Sequence, residues 1–179
     1  MSVLSISGPP RCSSGDLWEL DSHRLYIGDA TDEHSYLRLM MGERANLVLT
    51  DPPYGVRLAR KAEMDNEREA GGLKRGYRRQ SALIRDERTT NGVLAPAVDL
   101  TVQFCAPGCV WYVFSPAAPP KALLEFAAAL AKHGIWRQTL VWVKQRFALA
   151  IMGTDYHYKH ENIMYGWLPG RHRTPPDRK

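Results

Sequence analysis

Three short apolar runs, each ending in a polar or turn-forming group, set the strongest limit on what this chain can fold into. Leu25-Tyr26-Ile27 runs into Gly28-Asp29, Asn46-Leu47-Val48-Leu49-Thr50 into Asp51-Pro52-Pro53-Tyr54, and Val110-Trp111-Tyr112-Val113-Phe114 into Ser115-Pro116. Continuous apolar runs of this length suit strands covered on both faces. Helical patterns lie between and after them. Asp32 to Met41 follows Thr31 as an N-cap and stops at Gly42; Val93 to Phe104 is shorter; Pro120 to His133 has a proline suited to a first turn and Gly134 as its stop. Strands alternating with helices predict an α/β domain with a largely parallel sheet. Thr139 to Lys144 and Asn162 to Trp167 have no full-length helix between them, which predicts an antiparallel hairpin at one end of that sheet.

The 179 residues have the length of one domain, and 44% apolar with 24% charged residues allows a packed core. Residues 1–15 read as a flexible lead-in, 16–168 as the folded domain and 169–179 as a basic tail. Within the domain, 57–92 reads as a basic insertion, a class of loop that is usually functional. It carries Arg57, Arg60, Lys61, Lys74, Arg75, Arg78 and Arg79. The formal net charge of +5 suits a polyanionic partner. Cys12, Cys105 and Cys109 form no disulfide framework, and the last two, beside an apolar run, read as core thiols. No stretch reaches the ~20 apolar residues of a membrane span. The expected location is cytoplasmic.

Asp51-Pro52-Pro53-Tyr54 is the chemically informative segment. In an open α/β sheet, ligands gather outside the carboxyl ends of the strands. Two successive prolines hold the chain extended and remove two backbone donors, leaving carbonyls to accept. An exocyclic amino group of a nucleobase has two protons to donate. Asp51 and the Pro52 carbonyl can accept both, which orients the nitrogen and favours the positive charge that develops as it attacks a methyl sulfonium. Tyr54 offers a ring on which an extruded base can stack.

The run Leu25-Tyr26-Ile27-Gly28-Asp29-Ala30, followed by Ala45 through Asp51-Pro52-Pro53-Tyr54-Gly55-Val56, resembles the opening of the β-class DNA adenine-N6 and cytosine-N4 methyltransferases. Ile84-Arg85-Asp86-Glu87, Val141-Trp142-Val143-Lys144 and Asp155 to Glu161 resemble later blocks in the same order. The resemblance implies a class I, Rossmann-like sheet dependent on S-adenosylmethionine. Asp51, Pro52, Pro53 and Tyr54 match its catalytic motif, with Asp51 also beside the methyl donor, and Gly28 and Asp29 match a strand end near the donor's adenine. Asp at the first motif position points to adenine N6. Double-stranded DNA is the implied partner, contacted by Tyr54 and by the basic residues after it, from Arg57 to Arg79. The family needs no metal. His157 and His160 would lie on opposite faces of a strand, so with Glu161 they read as structural rather than as ligands.

The family's glycine-rich loop for the methyl donor, Phe-x-Gly-x-Gly opening a helix, has no match in these residues. The expected sheet is therefore incomplete on the cofactor side. The strand ending at Asp51 would present an open apolar edge, and the strand ending at Asp29 would lack neighbours. Three readings stay open: one part of an enzyme whose sheet a second chain or a homo-oligomer completes, an inactive remnant, or a module that binds DNA or protein without catalysis.

Overall fold

The structure, a computed structural model, describes residues 12–54, 90–117, 120–148 and 158–170 in two compact units, residues 1–43 and 44–179. The basic residues from Arg57 to Arg79, the Ile84–Glu87 block, His157 and the basic tail from Arg171 lie outside the described residues.

The first unit is a two-stranded antiparallel hairpin and one helix. Strands β1 (Leu17–Leu20) and β2 (His23–Tyr26) pair from Leu17↔Tyr26 to Leu20↔His23, and the tight turn places Asp21 at φ 56°. Ile27 extends the ladder, donating to the Asp16 carbonyl and accepting from Gly15 N–H. This corrects the expected burial of that run: Leu25 is exposed, and β1 supplies the neighbour that the strand was expected to lack. The short run Leu17-Trp18-Glu19-Leu20 has too weak a strand pattern to announce the hairpin by itself.

Helix α1 (Glu33–Met40) begins one residue later than the sequence suggested. Asp32, not Thr31, is the N-cap, accepting from His34 N–H, while Thr31 turns back to Asp29. Met41 in the left-handed region ends the helix, followed by Gly42 at φ 85°. Arg24 donates to the Leu39 carbonyl at the last turn and pairs with Glu43, satisfying a helix end with a cation.

The second unit holds a four-stranded sheet in the order β3-β4-β6-β5: β3 (Ala45–Thr50), β4 (Cys105–Ser115), β5 (Trp136–Ala148) and β6 (Tyr158–Trp167). β3 and β4 are parallel, and β6 runs antiparallel to both β4 and β5. The expected hairpin is present and longer than its apolar centre, with β6 inserted between β4 and β5. Helices α2 (Thr90–Gln103) and α3 (Pro120–Ala131) cover one face. α2 holds Pro96 within it and begins at Thr90, three residues before the expected Val93.

Strand alternation explains the core. Cys109, Trp111 and Val113 of β4, with Met164 of β6, turn toward Leu94 and Val98 of α2 and Phe126, Ala129 and Leu130 of α3. Asp99 of α2 accepts from Lys132 and His133 just past α3, tying the helices together. Hydrogen bonds from Lys132 and His133 hold the Asp99 carboxyl below its usual range. Cys105 and Cys109 are buried, as expected of core thiols. They flank a bulge where Ala45↔Cys105 gives way to Leu47↔Val110, so two steps along β3 match five along β4.

The other sheet face carries Leu47 and Leu49 of β3, 56% and 67% exposed, beside half-buried Val110, Tyr112, Phe114, Tyr165 and Trp167. Among the described residues no strand pairs with β3 on its far side.

Candidate active site

Thr50 closes β3 opposite Val113, and the chain leaves the sheet at Asp51. The prolines then do what their geometry requires: no ladder continues, and residues 51–54 carry no regular structure. Asp51 is exposed, whereas Pro52, Pro53 and Tyr54 are half-buried. The Tyr54 ring meets fully buried Phe126 of α3 edge-to-face, with centroids 5.8 Å apart at 80°. The negative charge of Asp51, three residues earlier, acts on its hydroxyl. Phe126 thus anchors the Tyr54 ring beyond the end of β3.

Burial pushes the Tyr54 phenol far above its ordinary range, reinforced by the charges of Asp51 and Glu161. The neutral phenol is thus the favoured form. Its contribution to stability is complete below the unfolded value of about 10 and is lost as pH rises above it. In an absorbance titration of the eight tyrosines, Tyr54 is expected to stay protonated after accessible tyrosines have ionised, and Tyr54→Phe to remove only that late component. Ionisation of all tyrosines in one step near pH 10 while the fold persists would contradict the burial of the Tyr54 phenol.

A further set of side chains lies on the neighbouring strands. Glu161 of β6 pairs with Lys144 of β5, and the Lys144 ammonium lies 5.2 Å from the centre of the Trp142 ring. Trp142 contacts Phe114 edge-to-face yet remains 48% exposed. Glu161 belongs to a block with a structural reading, and nothing in its local pattern tells which strand end it faces. Ser115, the last β4 residue, is fully buried, and its hydroxyl has no hydrogen-bond partner among the described residues.

Gly28 and Asp29 lie in the first unit. Tyr26, Gly28, Asp29, Ala30, Ser35, Tyr36 and Leu39 line a cavity of about 190 Å³. A Cβ on Gly28 would stand 2.3 Å from the Tyr26 ring and 2.6 Å from Ser35 Oγ, so only glycine fits. Asp29 Oδ1 accepts from the Thr31 N–H and hydroxyl at 2.8 and 2.7 Å, which fixes the carboxylate at the rim. Ser35 Oγ is buried without a hydrogen-bond partner among the described residues. Tyr36 is held by its hydroxyl bond to the Ala30 carbonyl, 2.9 Å.

No family model and no curated protein matches the sequence. Solved structures do. TTHA0409 of Thermus thermophilus, a candidate DNA modification methylase, superposes with a TM-score of 0.50 at 18% identity, over 86% of this chain and 57% of its own. M1.HpyAVI gives a TM-score of 0.49 at 13% identity, over 84% of this chain and 61% of its own. The chain thus spans about three fifths of the length of these proteins. At such identity the likeness speaks of fold, and it agrees with the mixed sheet and its one-sided helical cover. The chain carries part of a class I methyltransferase fold, of the kind found in DNA methyltransferases.

Proposed function

We propose that this chain provides the catalytic part of a DNA methyltransferase that transfers a methyl group from S-adenosylmethionine to an exocyclic amino nitrogen, adenine N6. The observation that supports this most is Asp51 at the carboxyl end of a parallel strand, exposed, with the Tyr54 ring of the same motif anchored against Phe126. A carboxylate placed this way has acceptor capacity for an amino proton, and the Pro52 carbonyl is the second acceptor. Both stabilise positive charge on the attacking nitrogen.

The residues lining the first-unit cavity fit the adenosine end of the methyl donor. Its size suits a flat heterocycle, Tyr26, Tyr36 and Leu39 offer apolar walls, Asp29 accepts from an amine, and the Ser35 hydroxyl lacks a partner among the described residues. When bound, S-adenosylmethionine supplies an electrophilic methyl group on a sulfonium. Asp29→Ala is expected to weaken its binding in calorimetric titration about ten-fold, as loss of one charge-assisted hydrogen bond implies. Unchanged affinity would remove Asp29 from the cofactor site.

The test of the whole reading is incubation of the purified chain with duplex DNA and S-adenosylmethionine, followed by nucleoside mass spectrometry. N6-methyladenine is the expected product, and N4-methylcytosine would overturn the adenine assignment. The open apolar sheet face with Leu47 and Leu49 favours a second reading, in which the chain works against a covering layer supplied by a second chain or a homo-oligomer. DNA binding without either methylated product points to that reading or to a non-catalytic DNA-binding role.

A further inference from the structure

The first-unit cavity has in its wall a polar group that no described residue satisfies. Ser35, in the first turn of α1, lines the cavity and is 7% exposed; its hydroxyl has no hydrogen-bond partner among the described residues. Leu39, one turn on, shares its helix face and adds an apolar wall. Opposite them the chain leaves β2 at Gly28, where the Tyr26 ring and the Ser35 hydroxyl stand 2.3 and 2.6 Å from the place a Cβ would take. Asp29, fixed by its two bonds from Thr31, follows at the rim.

Packing alone does not ask for that hydroxyl. The crowding at Gly28 calls for a small side chain at position 35, and alanine meets the need without the cost of burying an unpaired O–H. A hydroxyl in the wall of a cavity of about 190 Å³ points instead to a ligand atom as its partner. We propose that Ser35 is a specificity-determining residue of this cavity, donating its O–H to an adenine ring nitrogen beside the amine. The inference rests on the reading of the cavity as the site for the adenosine end of the methyl donor. On that reading the Asp29 carboxylate accepts an amine proton, and the ring nitrogens on either side of the amine, N1 and N7, are acceptors. An acceptor at Asp29 and a donor at Ser35 match that edge of adenine. Hypoxanthine sets a carbonyl where the amine was, acceptor against carboxylate, and is rejected.

The experiment titrates adenosine, inosine, 1-deazaadenosine and 7-deazaadenosine into the full chain and into Ser35→Ala, with amide chemical shifts as the readout. Ser35→Ala is expected to weaken adenosine about ten-fold, the effect of leaving one ring acceptor unpaired. Each deaza analogue replaces one ring nitrogen by C–H. For one of them Ser35→Ala should make no difference, because the partner of the hydroxyl is already gone, whereas the other should show the full loss. Inosine should bind the wild type at least about ten-fold more weakly than adenosine. The ligand-free variant should denature at the wild-type temperature or above, since no described residue loses a bond and alanine favours the helix.

Adenosine bound equally by both forms, or not bound by the wild type, overturns the proposal. So does a Ser35→Ala loss that persists with both deaza analogues, or inosine bound as tightly as adenosine. A lowered denaturation temperature would make the hydroxyl a structural group and overturns it too. S-adenosylmethionine that fails to bind, while adenosine binds with its Ser35 dependence, sinks the methyl-donor reading and leaves the adenine contact standing. S-adenosylmethionine bound equally by both forms keeps that reading and removes Ser35 from the site.

Discussion

Asp51→Ala is expected to reduce methyl transfer by about 10²–10³-fold, the usual effect of removing one preorganised group from a charge-stabilising site. Affinity for duplex DNA should change little, because phosphate contacts supply most of it and Asp51 carries the wrong charge for them. The same substitution takes away one of the charges that hold the half-buried Tyr54 phenol neutral. Tyr54 should then ionise at lower pH than in the wild type. Asp51→Asn gives a sharper comparison. It keeps the shape, but it presents an amide donor toward an amino group that needs acceptors. Methylation is expected to fall nearly as far as in Asp51→Ala. Normal methylation by either variant would end the assignment of Asp51 as the acceptor.

Gly166→Ala is expected to be the most damaging single methyl group in the second unit. Gly166 is buried in β6, opposite Trp111 of β4 and Trp136 of β5. A Cβ there would lie 1.8 Å from the Ile135 carbonyl oxygen and 2.8 Å from its carbon. Both are backbone atoms, and the same carbonyl accepts from Trp167 N–H at 3.1 Å. No rotamer change relieves the clash, so the start of β5 must move away from β6. Ile135, almost fully buried in the core, moves with it. The expected loss is about 3 kcal/mol or more, the severe end of overpacking, read as a shift of the denaturation midpoint. Gly42→Ala is the control. Gly42 has φ 85° but nothing within 4 Å of the added atom, so its cost is conformational, about 1 kcal/mol. If Gly166→Ala proved no worse than Gly42→Ala, the tight β5–β6 approach would be wrong.

The sequence by itself determined the parts whose cause is local. Asn46 to Thr50 and Val110 to Phe114 became neighbouring parallel strands, as their unbroken apolar runs predicted, although cover on only one face leaves Leu47 and Leu49 exposed, and Asp51-Pro52-Pro53 ended the first because proline cannot continue a ladder. The β5–β6 hairpin was legible for the same reason, from two apolar runs with no helix between them. The tertiary structure decided what depends on distant residues. Leu25-Tyr26-Ile27 has the composition of a core strand, yet β1, a segment of weak apolar pattern, took it into an antiparallel hairpin with Leu25 exposed. Thr31 was expected to cap the first helix, but Asp29 draws it back and Asp32 caps instead. Tyr54 came to rest against Phe126, 72 positions along the chain, and Glu161 came to stand just past the end of β4 because β6 inserted between β4 and β5. Periodicity and turn chemistry act over a few residues, whereas strand order and the meeting of charges across strands are settled by packing the whole sheet.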